Sequence, residues 1–283
     1  MLYKKADPDR GIASVKQTMR RALSNFRNSL PAALLAALVV AGCASAPVTG
    51  RSQFILISPQ QSQSLGISAY QQIKQQTPIV TGTEQARMVE RIGQRIAAIA
   101  PGTSGYAWEF TLFRDPTPNA FALPGGKVGI NTGLFDVAEN EAQLASVMAH
   151  EVGHVVAQHS AERMSRDMVT QLGIGAVGAA TASPELTNLA AAAATLGVTL
   201  PFTRSQEAEA DHIGLIYMAR AGYDPREAVE LWKNFRSAGG ERPPAFLSTH
   251  PSPDNRIARL EELMPEAMQF YRGPQGFNRP GSS

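Results

Sequence analysis

The chain has 283 residues, 43% of them hydrophobic, enough for one large or two small domains with a substantial buried core. Its 26 Lys and Arg against 24 Asp and Glu give a formal charge of +2, with basic residues scattered apart from those near the N-terminus, which argues against nucleic acid as a partner. The single cysteine, Cys43, excludes an internal disulfide and a cysteine-built zinc site.

Residues 1–42 read as an export signal. Arg20, Arg21 and Arg27 precede an apolar run from Leu30 to Val40 that ends in Val40-Ala41-Gly42-Cys43. That is a charged region, an apolar stretch too short to span a membrane comfortably, and small residues at a cleavage point. The ending resembles the lipobox of bacterial lipoproteins, in which the cysteine becomes the lipidated first residue; an ordinary signal peptide with an incidental cysteine is the alternative. Ala44 is not the aspartate that, by the same resemblance, often retains lipoproteins at the inner membrane, so the expected place is the outer membrane, facing the periplasm. Residues 1–18 are polar, and Met19 competes with Met1 as initiator.

Residues 43–52 are expected to form a tether, 53–272 the folded domain and 273–283 a disordered Gly/Pro/Ser-rich tail. Ser58-Pro59 predicts an N-cap and first helical residue of a Gln-rich helix to about Gln76. Thr83 starts a second helix carrying Met88, Ile92, Ile96 and Ile99, closed by Pro101-Gly102. Tyr106 to Phe113 reads as a strand. Asn119-Ala120-Phe121 and the residues after Gly125-Gly126 read as two short extended pieces about a turn. The bare glycine backbone suits close approach by another chain, and an unpaired hairpin edge can accept an extended peptide as an added strand.

Asn140 can cap a helix from Glu141 to Gln158. On it, Gln143, Ser146, His150, His154 and Gln158 form one polar stripe in otherwise apolar surroundings, so the stripe should face a cleft in the core. Residues Ala161 to Val198 are rich in Ala and Gly and read as two tightly packed helices, with a membrane-spanning pair as the other reading. Further helices are expected from Arg204 to Ala221, from Asp224-Pro225 to Ser237, and from Ser252 onward with Ile257, Leu260 and Leu263 as its apolar face.

His150-Glu151-Val152-Gly153-His154 puts two imidazoles one helical turn apart with a carboxylate beside them, the pattern of a zinc hydrolase. Catalytic zinc usually has three protein ligands and one water, so a third ligand is needed. Glu207 is the best candidate, with Asp211 one turn on along the same inward face. Glu209 lies on the opposite side and is expected in solvent. In this scheme His150, His154 and Glu207 bind one Zn2+ ion per chain, Glu151 is the general base, and Asp211 orients a ligand imidazole. His159, five residues after His154, is expected to be structural or solvent-facing, and His212 likewise lies off the metal face. His250, in a loop before Pro251, is evenly balanced between a loop histidine and a functional one.

His150-Glu151-x-x-His154, Glu207-x-x-x-Asp211, Asn119-Ala120-Phe121 before a Gly-Gly hairpin, and Thr249-His250-Pro251 followed by Arg256 together resemble the zinc metallopeptidase family of the CAAX prenyl proteases and HtpX. The similarity is greatest to its periplasmic lipoprotein branch, that of LoiP and BepA, and covers residues 48–263. It implies Glu207 as third ligand, Asp211 as its support, and His250 beside the metal, either stabilising the transition state or plugging the open position. It further implies Arg256 on the oxyanion and the hairpin residues Asn119, Ala120, Phe121, Gly125 and Gly126 on substrate. The longer assembly-factor type carries a C-terminal helical-repeat domain for which this sequence has no room, which weighs against recruitment to the outer-membrane assembly machinery.

The resulting expectation is a mainly α-helical (α+β) zincin-type metallopeptidase domain with a small sheet beside the active-site helix. Its partners would be protein substrates bound as an added strand and the membrane reached through Cys43, with envelope assembly or quality-control proteins as further candidates. The competing class is a membrane-tethered chaperone or assembly factor whose zinc site is structural or shut.

Overall fold

A computed structural model describes residues 43–46, 48–103, 105–181, 202–238, 245–250 and 255–273. The chain divides into two units, 1–43 and 44–283, and the second holds the fold described here. The expected export signal, the tail beyond residue 273 and the second half of the Ala/Gly-rich segment lie outside the described residues.

Two short strands, β1 (Cys43–Ser45) and β2 (Ser52–Phe54), form a two-stranded sheet. Helix α1 spans Pro59–Gln76, opened by a capping box between Ser58 and Gln61 with Pro59 in the first turn. Helix α2 spans Glu84–Ala97 with Thr83 as its cap, and buries Val89, Ile92 and Ile96 at helical spacing. Both starts are where the sequence puts them.

The three-stranded sheet has the order β3-β5-β4, from β3 (Glu109–Phe113), β4 (Ala120–Leu123) and β5 (Lys127–Asn131). Strand β5 is central, parallel to β3 with Glu109 opposite Lys127, and antiparallel to β4 with Phe121 opposite Gly129. Tyr106 and Trp108, expected in the strand, precede it; Trp108 stacks on Phe110 with ring centroids 5.7 Å apart. Strand β4 is left at the edge of its sheet.

Five more helices follow: α3 (Glu141–Val156), α4 (His159–Thr181), α5 (Arg204–Arg220), α6 (Arg226–Ala238) and the five-residue α7 (Ala245–Thr249), before α8 (Arg256–Met268). Helix α3 runs through the middle, buried from Gln143 to Val156, with α5 packed along it and the sheet, α2 and α6 around it. A helix apolar nearly all round goes to the core, as its sequence requires. No helix among the described residues is long and apolar enough to cross a membrane.

Candidate active site

The site is built where α3 and α5 cross. Asn140 caps α3 by accepting from the Gln143 N–H at 2.9 Å, and Glu141 sits favourably at the positive end of the helix. Thr203 and Gln206 cap α5 reciprocally, which fixes the first turn that carries Glu207. Glycines let the two backbones approach: a Cβ at Gly214 would lie 2.9 Å from the His150 nitrogen, and one at Gly153 would lie 3.0 Å from the Ala210 carbonyl oxygen. The crossing brings Glu207 against two histidines more than fifty positions earlier in sequence.

His150 Nε2 and His154 Nε2 are 3.0 Å apart, and each is 3.4 Å from a carboxylate oxygen of Glu207. His250 Nδ1 lies 3.3 Å from His150 Nε2 and 3.0 Å from Glu207 Oε1. The donor atoms of these four buried residues all fall within 4.8 Å of one another. A tetrahedral ion with donors at about 2.0–2.1 Å would hold its ligand atoms about 3.3 Å apart. The five separations given above, 3.0–3.4 Å, lie near that figure, those to Glu207 running to Oε2 from His150 and to Oε1 from His154 and His250, and the donor set of three imidazoles and one carboxylate suits zinc.

The electrostatics also call for a cation. Burial works to raise the Glu207 pKa, yet its bonds to His150, His154 and His250 outweigh burial and hold the carboxyl well below the usual range. Burial opposes charge on His150, but Asp211 and Glu207 prevail and push its pKa up to about 9. Burial prevails at His154, which is held well below the ordinary imidazole value and so is neutral, the form that can ligate a metal, beside the ionised Glu207.

Glu151 is buried beside the cluster, and burial raises its pKa against the pull of His250 and His150. Its Oε1 lies 3.2 Å from His250 Nε2 but makes no hydrogen bond of sound geometry among the described residues. Asp211 Oδ1 is 2.9 Å from His150 Nδ1, the supporting position expected for it. Arg256 differs from expectation. It is buried and stacked 3.7 Å over the Trp232 ring, with one terminal nitrogen 3.3 Å from Glu207 Oε2 and the other 2.5 Å from Asp211 Oδ1. Its terminal nitrogens serve as counter-charge to two carboxylates, and its buried Nε has no hydrogen-bond partner among the described residues.

The neighbouring residues agree with expectation in part. Glu209, expected in solvent, is 5% exposed, because the segment after Cys43 folds over it: Thr49 donates to Oε1 and Arg51 to Oε2 at 2.5 Å. Thr49 and Arg51, in the stretch expected as a tether, are accordingly fastened to the domain. His159 is fully buried, within reach of His154 at 2.8 Å and of Glu209 at 3.0 Å, so it is structural and not solvent-facing. His212 is off the metal face as expected, paired with Glu266 at 2.9 Å. His250 is not in an open loop: it directly follows α7, its N–H bonded to the Phe246 carbonyl at 2.8 Å. Phe202, which the sequence does not single out, stacks on the His154 ring with centroids 4.1 Å apart.

On the substrate side, Asn119 leads into edge strand β4, with Ala120 buried and Phe121 packed on Phe113 at 5.8 Å. Asn119 Oδ1 is buried and has no hydrogen-bond partner among the described residues. Gly125 and Gly126 have φ of +85° and +78°, and a Cβ at 126 would lie 2.9 Å from Trp108. Turn geometry calls for glycine at both positions, and close packing on Trp108 does so again at Gly126.

The sequence pattern of peptidase family M48 matches residues 83–264. The chain is 38% identical over 227 residues to the mitochondrial metalloendopeptidase OMA1 of Schizosaccharomyces pombe, covering 78% of this chain and 66% of that one. To the OMA1 of Saccharomyces cerevisiae it is 32% identical over 262 residues, 83% of this chain and 75% of that one. To the beta-barrel assembly-enhancing protease of Escherichia coli it is 31% identical over 267 residues, 86% of this chain and 54% of that one. The chain thus spans only about half to two thirds of the length of several relatives. The matched region contains the His150, Glu151, His154, Glu207 and Asp211 constellation, and the chain belongs to peptidase family M48.

Proposed function

We propose that the chain is a zinc-dependent endopeptidase acting on the periplasmic side of a bacterial envelope, anchored by lipid at Cys43, where it cleaves misfolded or misassembled envelope proteins. The observation that carries the activity is the convergence of four metal donors beside an unbonded carboxylate oxygen of Glu151. The location rests on the signal-like segment ending at Cys43; the relatives themselves divide between a mitochondrial name and a beta-barrel-assembly name.

His150, His154 and Glu207 would hold zinc, which supplies a Lewis acid for the scissile carbonyl and a lowered pKa for water at the site. Glu151, its pKa raised by burial, takes the proton of the attacking water and returns it to the leaving amine. Asp211 and Arg256 keep His150 and Glu207 in place. A substrate strand adds to the edge of β4, which follows Asn119. Glu151→Gln should keep one zinc per chain and lose cleavage of an unfolded protein by about 100-fold or more. Undiminished cleavage by that variant defeats the mechanism.

One observation favours a second reading, a membrane-tethered chaperone or assembly factor with a normally shut site. His250 Nδ1 stands at the fourth corner of the donor set while its Nε2 faces Glu151, so the same imidazole blocks both the open position and the general base. If His250 is a plug, His250→Ala raises peptide cleavage. Unchanged or lower activity leaves it a catalytic or neutral role.

A further inference from the structure

Resting on the metal-site reading above, we infer that His159, Glu209 and Arg51 form a buried brace that positions the ligand His154 and strengthens its grip on the metal. His154 Nδ1 is 2.8 Å from His159 Nδ1, His159 Nε2 is 3.0 Å from Glu209 Oε2, and Arg51 Nε is 2.5 Å from that same oxygen. Arg51 continues outward with both terminal nitrogens on Glu162, at 3.1 and 2.8 Å, and Glu162 accepts from the Gln206 amide at 2.9 Å. Gln206 is the capping residue of the turn that holds Glu207, so the brace ends where the third ligand begins.

One assignment of protons satisfies the whole row. A metal at His154 Nε2 requires the proton on Nδ1, which then donates to His159 Nδ1. His159 must in consequence carry its own proton on Nε2, which donates to Glu209. The carboxylate fixes that tautomer of His159, whose bare Nδ1 then holds the His154 proton and the orientation of the His154 ring. His150 is supported in parallel, by Asp211 and then Arg256. Both supports use a carboxylate of α5, two and four residues after Glu207, and both end on an arginine from elsewhere in the chain. The His154 support has an extra imidazole because its carboxylate lies farther round α5, and His159 bridges the gap.

His159 is reachable only because α3 stops. Val156 ends the helix, Gln158 takes a φ of +55°, and α4 begins at His159, which swings the imidazole back against His154. A left-handed non-glycine residue costs about 1 kcal/mol or more, and here it sits at the turn that places His159. The last member, Arg51, lies eight residues after Cys43, in the segment that follows the proposed lipid site.

The test is zinc affinity, measured by competition with a chromophoric chelator, together with the visible spectrum of the cobalt-loaded protein. His159→Phe removes both hydrogen bonds and should weaken zinc binding by about 10- to 100-fold. His159→Gln can accept from His154 and donate to Glu209, and should recover most of that loss, which a purely packing role would not produce. Arg51→Ala, at a side chain only partly buried and away from the core, should weaken binding several-fold without loss of folding and shift the cobalt spectrum. Wild-type affinity and an unchanged spectrum in Arg51→Ala and both His159 variants overturn the brace while leaving the metal site standing. A wild-type chain that binds no zinc overturns the metal site and the brace together.

Discussion

Gly214→Ala tests the idea that the α3–α5 crossing sets the metal geometry. An ideal Cβ at 214 would lie 2.9 Å from the His150 nitrogen, 3.0 Å from its Cα and 3.1 Å from the Ala149 carbonyl carbon, all backbone atoms that cannot turn aside. Ordinary carbon contacts begin near 3.5 Å, so α5 must back away by about 0.5 Å. The separations from Glu207 to His150 and His154, now 3.4 Å each, would open to roughly 3.9 Å, against about 3.3 Å for tetrahedral zinc. Binding metal would force the strain back, and overpacking of this kind costs about 1–3 kcal/mol, or about 5- to 150-fold in affinity. Without metal the strain relaxes, and alanine gains about 1 kcal/mol over glycine in a helix. Chelator competition should therefore show weakened zinc binding, while the chelator-stripped variant melts close to wild type. Gly153→Ala, whose closest approach is 3.0 Å to a carbonyl oxygen and the next 3.4 Å, should do the same more mildly. Zinc affinity within twofold of wild type in Gly214→Ala would refute the reasoning.

Other expectations follow from single residues. Burial works to raise the Glu109 pKa, but Lys74 at 2.6 Å and Lys127 at 3.4 Å outweigh it and leave it below the ordinary 4.5. The resulting stability is present above pH 4.5 and is lost as pH falls through the lower folded value. The margin of wild type over Glu109→Gln in urea unfolding, below about 1 kcal/mol for so exposed a pair, should shrink on acidification; a margin that grows contradicts the sign. Asn140→Ala removes the cap of α3 and should lower stability by about 1 kcal/mol, read as a shifted urea midpoint with unchanged slope. Cys43→Ser should release the protein from membranes, and continued sedimentation with the membrane fraction counts against lipidation.

Much of this was legible in the sequence because it depends on local chemistry. Ser58, Thr83 and Asn140 start helices by accepting backbone N–H groups, and each sits where its side chain predicts. His150, His154, Glu207 and Asp211 were legible because helical spacing fixes which side chains share a face. His159 was legible as structural, but its contact with His154 was not, because counting five residues round a helix fails once Gln158 breaks the helix and resets its phase. Glu209 does lie off the Glu207 face, but a helix position tells only which way a side chain points. What covers it, Thr49 and Arg51, comes from some 160 residues away, beyond the reach of any periodicity. Gly126 was read for an incoming chain, and the sequence did not show that Trp108, 18 positions earlier, also lies against it.

The four donors are not held equally, and the difference bears on how the site works. His150 and His154 belong to a helix buried on every side, and Glu207 to a capped helix packed along it with glycine-close backbone. Moving any of these three means moving the core. His250 instead follows a five-residue helix fixed by the Phe246 side chain, stacked on Phe235 at 5.3 Å, and by backbone bonds from Phe246 to Pro118 and from Phe202 to Thr249. That short helix is separate from the α3–α5 pair, although Phe246 is itself buried, packed on the Trp232 and His150 rings as well as on Phe235. The donor that obstructs Glu151 is thus also the one whose departure leaves the other three in place. One of its backbone attachments, Pro118, lies two residues before edge strand β4, where a substrate strand would be added.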